Sequence, residues 1–186
     1  FLKTNHNVAI INNKTSLPDY IDVGLRILSV GLNPSIPSAQ LGFYFANPRN
    51  RFWKAFNQAR IVDNEVIPAR NIHKQLLEKQ GIGFTDVAKR VSAMGHELRA
   101  ADFKRDAPKL REKIEHYSPD LVWFHGKVAM KKFMFYSFGV KYDCQWGFND
   151  IDDIGSKVFV SPNPSPANAA YSLEVLVDYY KQLSCR

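Results

Sequence analysis

The continuous apolar run Leu121-Val122-Trp123-Phe124 constrains this chain more than any other stretch. Successive side chains of a strand point to opposite faces, so four large apolar residues in a row suit only a strand covered on both sides. Further strand-like segments, less uniformly apolar, lie at Arg26–Val30, Ile82–Ala88 and Lys157–Val160. Between them the apolar spacing is helical: Phe52, Trp53, Phe56 and Ala59; then Ile72, Leu76 and Leu77 within Arg70–Lys79; then Leu173, Leu176, Val177, Tyr180 and Leu183. Strands alternating with helices predict an α/β fold, three-layer α/β/α with a mainly parallel central sheet.

The spacing places further boundaries. Asn47 or Asn50 can cap the helix after the first strand, with Pro48 suited to its first turn. Gly81 and Gly83 should stop the next helix. The charge-rich span Met94–Lys113, with Leu98, Leu110 and Ile114, predicts a loop and an amphipathic helix ending before Ser118-Pro119, and Val128–Phe138 predicts another helix. Gly139–Gly155 is expected to be loop or hairpin. Residues 1–23 are polar and irregular, a tail or a strap over a single domain at 24–186.

With 186 residues the chain fits one domain with a sizeable core. Its formal charge of +7 suits a polyanion, since lysine and arginine on phosphates release condensed counterions. Cys144 and Cys185 are too few for a disulfide framework or a zinc site and suit a reducing compartment. No apolar run approaches the ~20 residues that cross a bilayer, and no secretory signal is visible, so a cytoplasmic location without membrane contact is expected, nucleoid-associated if bacterial.

Two strand-ending loops carry the candidate chemistry. Asn-Pro-Ser occurs at 33–35 and again at 163–165. Ligands of open parallel sheets bind outside the carboxyl ends of the strands. Proline at 34 pushes Asn33 into an extended conformation and so orients its amide. Neither loop has a glycine-rich nucleotide fingerprint, an activated thiol or a Ser-His-Asp spacing. The histidines at 6, 73, 96, 116 and 125 show no metal spacing and are read as surface or packing residues.

Gly31-Leu32-Asn33-Pro34-Ser35, followed by Gly42-Phe43-Tyr44-Phe45-Ala46-Asn47-Pro48-Arg49-Asn50-Arg51-Phe52-Trp53, resembles the first signature of the mismatch-specific uracil/thymine DNA glycosylases, and Pro162-Asn163-Pro164-Ser165 resembles their second. The similarity of pattern runs from about Leu17 to Leu183. It implies a uracil-DNA glycosylase-like fold and a monofunctional enzyme that cleaves the base–deoxyribose bond in double-stranded DNA containing mismatched or damaged bases. No metal or cofactor is implied, and a monomer is expected. Such enzymes flip the nucleotide out of the duplex.

By the same resemblance Asn33 positions the attacking water, Phe45 stacks on the flipped base, and the backbone amides of Leu32 and Phe45 read the pyrimidine edge. Asn163, with Ser165, falls where related enzymes place a histidine near the base carbonyl that gains charge. Asp86 lies in a segment that borders the pocket, and some members carry a carboxylate there; it is a second catalytic candidate, or else a helix cap or a partner of Lys89 or Arg90. Pro166, Ala167 and Asn168 fall where the family fills the duplex; with the small Ala167 there, either Asn168 takes over the contact to the widowed guanine or the choice of opposite base is looser. Arg49, Arg51, Lys127, Lys131 and Lys132 are candidate phosphate contacts. Two alternatives stay open, a non-catalytic DNA-binding module on the same fold and a small-molecule hydrolase.

Overall fold

The computed structural model describes residues 16–184. Its centre is a five-stranded sheet ordered β2-β1-β3-β5-β4. The strands are β1 (Ile27–Gly31), β2 (Ile82–Asp86), β3 (Leu121–His125), β4 (Gly147–Asn149) and β5 (Lys157–Ser161). All neighbours pair in parallel except β4, which runs antiparallel to β5 at the edge. The register sets Gly31 opposite Asp86 and His125 opposite Ser161, so the carboxyl ends finish nearly level.

Among the described residues six α-helices accompany the sheet: α1 (Ile36–Leu41), α2 (Phe52–Gln58), α3 (Ile72–Gln80), α4 (Ala100–Tyr117), α5 (Lys127–Phe138) and α6 (Leu173–Ser184). The alternation along each strand divides the core. Ile27, Phe84, Trp123 and Phe159 pack with the apolar sides of α2, α3 and α6. Leu28, Val30, Val122, Phe124, Val158 and Val160 pack with α4 and α5. Trp123, Phe124 and Phe159 are fully buried, each worth roughly 2–3 kcal/mol of apolar transfer. The three-layer α/β/α architecture is the one the apolar runs predict.

Local departures have physical causes. The expected helix start at Asn47 or Asn50 moves to Phe52, because both asparagines form tight turns instead: Asn47 Oδ1 accepts from Arg49 N and Asn50 Oδ1 from Phe52 N, each at 2.9 Å. The short α1 was not expected; Ser35 caps it by accepting from Ser38 N, with proline in its first turn. β2 stops at Asp86, and the apolar Val87-Ala88 continues as a buried loop. Gly83 is a strand residue, while Gly81 alone closes α3, at φ +63°. Of residues 1–23, those numbered 1–15 lie outside the described residues. Tyr20 pairs with Phe84 across the edge of β2 through bonds of 2.9 and 3.0 Å, and Leu17 is buried in the core. Among the described residues no helix is long and apolar enough to cross a membrane.

Candidate active site

Asn33 and Asn163 line one cavity of about 470 Å³ at the carboxyl ends of the parallel strands, together with Leu32, Phe45, Asp86 and His125. Asn33 follows β1 by two residues. Its Nδ2 donates to the Arg90 carbonyl (2.9 Å), to Ser92 Oγ (2.8 Å) and, at 3.3 Å, to the Pro34 carbonyl. A carbonyl can only accept, so this arrangement dictates which end of the amide is nitrogen. The Oδ1 end is the one left for a ligand.

The segment that follows is held in a conformation it would not adopt alone. Phe45 has φ +57°, a left-handed value that costs a residue with a Cβ about 1 kcal/mol or more. Its neighbours pin it: Tyr44 N donates to His73 Nε2 (2.8 Å) and Ala46 N to Ser38 Oγ (3.1 Å). The Phe45 ring stacks on Phe52 at a centroid distance of 4.0 Å. His73 is fully buried, and burial lowers its pKa to about 3, so it is a neutral acceptor at any ordinary pH. It is the packing residue its sequence context suggested.

Asp86 ends β2 beside Gly31, and a Cβ on that glycine would lie 2.5 Å from Asp86 Oδ1. The carboxyl is 4% exposed, and its Oδ2 has no hydrogen-bond partner. Burial pushes its pKa up to about 7, against the nearby Lys89 charge, with Asp19 adding to the rise. Neither bland role weighed for it occurs. Lys89 Nζ sits 2.7 Å from Asp19 Oδ1, and Arg90 Nε 2.9 Å from Asp102 Oδ2. A second ammonium, from Lys113, also binds Asp19. The acid is therefore poised between its charged and neutral forms near neutral pH.

The second loop is ordered by its own polar groups. Asn163 Oδ1 accepts from Ser165 N (2.9 Å), and Asn168 Nδ2 donates to the Asn163 carbonyl (3.0 Å). A backbone N–H can only donate, so Asn163 leaves Nδ2 as its free end. Ser165 accepts from Ala167 N at Oγ and from Asn168 N at its carbonyl, which makes it part of the turn. Pro166 is half-buried and Ala167 exposed at the tip. Asn168 spends one of its two Nδ2 hydrogens inside the loop, which fixes where its amide points.

Arg51 has a different task from the phosphate contact expected of it. Its guanidinium donates to the carbonyls of Ser165 (3.0 Å), Asn168 (2.8 Å), Pro164 (3.4 Å) and Tyr171. With four carbonyls engaged, it braces the second loop from the start of α2. Arg49 is exposed. Lys127, the first residue of α5, lines the cavity with Nζ 4.7 Å above the Trp146 ring. Lys131 lies 3.9 Å from Asp143, and Lys132 packs over Phe103.

His125 is the site residue that sequence reasoning passed over. It ends β3, is 2% exposed and lines the cavity, with its ring edge-on to Phe45 at 5.0 Å. Its position at the carboxyl end of an apolar strand, just before a glycine, was the available signal, since Asp86 ends a neighbouring strand in the same way. Among the described residues no group of three or more His, Cys, Asp and Glu side chains is placed to hold a metal ion.

With this geometry in view, the likeness to known proteins is specific. A solution NMR structure from Methanosarcina acetivorans, provisionally described as a uracil DNA glycosylase, superimposes with a TM-score of 0.60 at 22% identity, covering 91% of this chain and 98% of that one. It shares the fold. The family model of the uracil DNA glycosylase superfamily matches residues 18–184, from the segment along β2 to the last residue of α6. The chain belongs to the uracil DNA glycosylase superfamily.

Proposed function

We propose that the chain is a monofunctional DNA glycosylase that hydrolyses the N-glycosidic bond of uracil, and of thymine or other altered bases, mispaired with guanine in double-stranded DNA, and so initiates base excision repair. The nucleotide is flipped into the 470 Å³ cavity, where its base stacks on Phe45. One observation carries the reading. Both asparagines line the cavity, and they leave opposite ends of their amides without a protein partner, the oxygen of Asn33 and the nitrogen of Asn163. An oxygen acceptor can hold a water by its proton, and an N–H donor can stabilise the carbonyl of a departing base anion.

In the proposed reaction the water held by Asn33 attacks C1′ as the C1′–N bond breaks, and the electron pair of that bond leaves with the base. Asp86, ionised above about pH 7, takes the proton released by the water. The products are an abasic sugar and the free base. Among the described residues Lys127 is the one lysine lining the cavity, and its Nζ sits over the Trp146 ring, while Lys89 Nζ is held by Asp19 and Tyr44 Oη. Strand cleavage is therefore not part of the reaction.

The decisive experiment incubates the protein with a duplex holding one G·U pair and then treats it with alkali. Strand cutting only after alkali is the expected result. Binding without any cut would make the chain a DNA-binding module, and cutting before alkali would contradict monofunctional chemistry.

A further inference from the structure

His125 has a chemistry that the reaction above does not use. It is 2% exposed, and its Nε2 lies 2.7 Å from Ser29 Oγ, on the neighbouring strand β1. Its Nδ1 is buried with no hydrogen-bond partner. An unpaired polar atom in so enclosed a place is destabilising unless something fills the site. The rest of the row beside it is satisfied: Trp123 Nε1 donates to Ser161 Oγ at 2.8 Å, and Ser161 lies opposite His125 in the β3–β5 register. The surroundings are the rings of Phe45, Phe52 and Trp123, with centroids 5.0, 5.3 and 4.5 Å away. Burial lowers the imidazole pKa to about 3, so the ring is neutral and carries one N–H.

We propose that His125 is a specificity-determining residue that donates from Nδ1 to a carbonyl oxygen of the extruded base, with Ser29 fixing its tautomer by donating to Nε2. The proposal rests on the glycosylase reading and deepens it. A neutral imidazole whose Nε2 accepts must carry its proton on Nδ1. Such a donor matches bases that present a carbonyl, as deaminated bases do, and meets an exocyclic amine donor to donor. The contrast matters because a buried polar group left unpaired discriminates more strongly than a lost apolar contact. Asn163 lies against Gly126, the residue that follows His125: a Cβ on that glycine would be 3.4 Å from Asn163 Cβ. The cavity would then hold two donors, one from the loop after β5 and one from the end of β3.

Single-turnover release is measured from duplexes carrying uracil, 2-thiouracil or 4-thiouracil opposite guanine, sulfur being a far weaker acceptor than oxygen. In the unaltered protein one of the two thio substitutions should slow release about 10-fold or more. In His125→Leu, uracil release should fall about 10- to 100-fold and that sulfur sensitivity should vanish, while His125→Asn, which keeps an N–H donor, should recover part of both. Nitrogen-15 spectra of the free protein should show the Nδ1-protonated tautomer, and Ser29→Ala should shift the tautomer balance without charging the ring. An unaltered sulfur sensitivity in His125→Leu overturns the proposal, as does indifference of the unaltered protein to both sulfurs or a ring protonated at Nε2. If His125→Leu does not fold, the unaltered protein and the spectra decide. Failure to release any base from any duplex would defeat the glycosylase reading and this proposal with it; release with unchanged ratios defeats the proposal alone.

Discussion

The loop after β1 and the loop after β5 share Asn-Pro-Ser, yet they are built by opposite means. Asn33 is anchored from outside its loop, by the carbonyl of Arg90 and the hydroxyl of Ser92. Asn163 is anchored from within, by the amide of Ser165 two residues on. The first anchor engages the nitrogen end of the amide and the second engages the oxygen end. Identical tripeptides thus supply complementary groups, because what each amide offers is decided by the partner that takes its other end.

The contrast is most exposed to Asn33→Ala, which removes the acceptor outright. Uracil release should fall roughly 100- to 1,000-fold, with duplex affinity held within about 3-fold; a single-turnover rate near that of the unaltered protein would end the water-holding role. A matched pair of carboxylates then sharpens it. Asn163→Asp exchanges a donor for an anion where the base becomes negative and should lose about 100-fold, whereas Asn33→Asp keeps an oxygen acceptor, though it gives up the bond to the Arg90 carbonyl, and should lose about 10-fold. Equal losses would mean that the two amides are not functionally opposed.

Asp86 gives an effect that depends on pH. If its carboxylate takes the water's proton, the rate should climb as pH rises through about 7, and Asp86→Asn should flatten that climb at a rate about 10-fold lower. Stability runs the other way. Because the folded pKa is raised from 3.8 to about 7, the folded protein holds a proton that the unfolded chain has released, so stability falls as pH rises from about 4 to 7. Asp86→Asn should therefore gain on the unaltered protein over that window, by roughly 2–4 kcal/mol in denaturant unfolding. A parallel pH dependence in the two proteins would show that the carboxyl is not the titrating group.

The smallest effects separate the two arginines of the first motif. Arg49→Ala should reduce the salt slope of duplex binding by about one and the affinity a few-fold. Arg51→Ala should leave the slope unchanged while slowing release, since its guanidinium holds loop carbonyls. A lower slope for Arg51→Ala would return it to the phosphate contacts.

The layers of this fold were legible because alternation is a local property. Val122 and Phe124 face one way and Trp123 the other, and the sequence runs alone assign them to two cores. The position of Asn33 and Asn163 at strand ends was equally legible. Which end of the Asn33 amide is free was not, because it depends on Arg90 and Ser92, which are 57 and 59 residues away. Arg51 was misjudged for the same reason: exposed arginine is the ordinary expectation, and its carbonyl partners lie more than a hundred residues away. The unexpected α1 follows from a cap, Ser35 accepting from Ser38 N, in a stretch that reads as a strand-ending loop.

Arg51 also joins the two signatures mechanically. Its backbone amide donates to the Pro164 carbonyl at 3.1 Å, and its side chain grips the following turn, so a residue at the threshold of α2 holds the far rim of the pocket. Loop exchange between relatives would have to respect that tie. A second signature transplanted alone, with its carbonyls displaced by even one insertion, would arrive without its clasp, whereas one moved together with Arg51 would carry its own support.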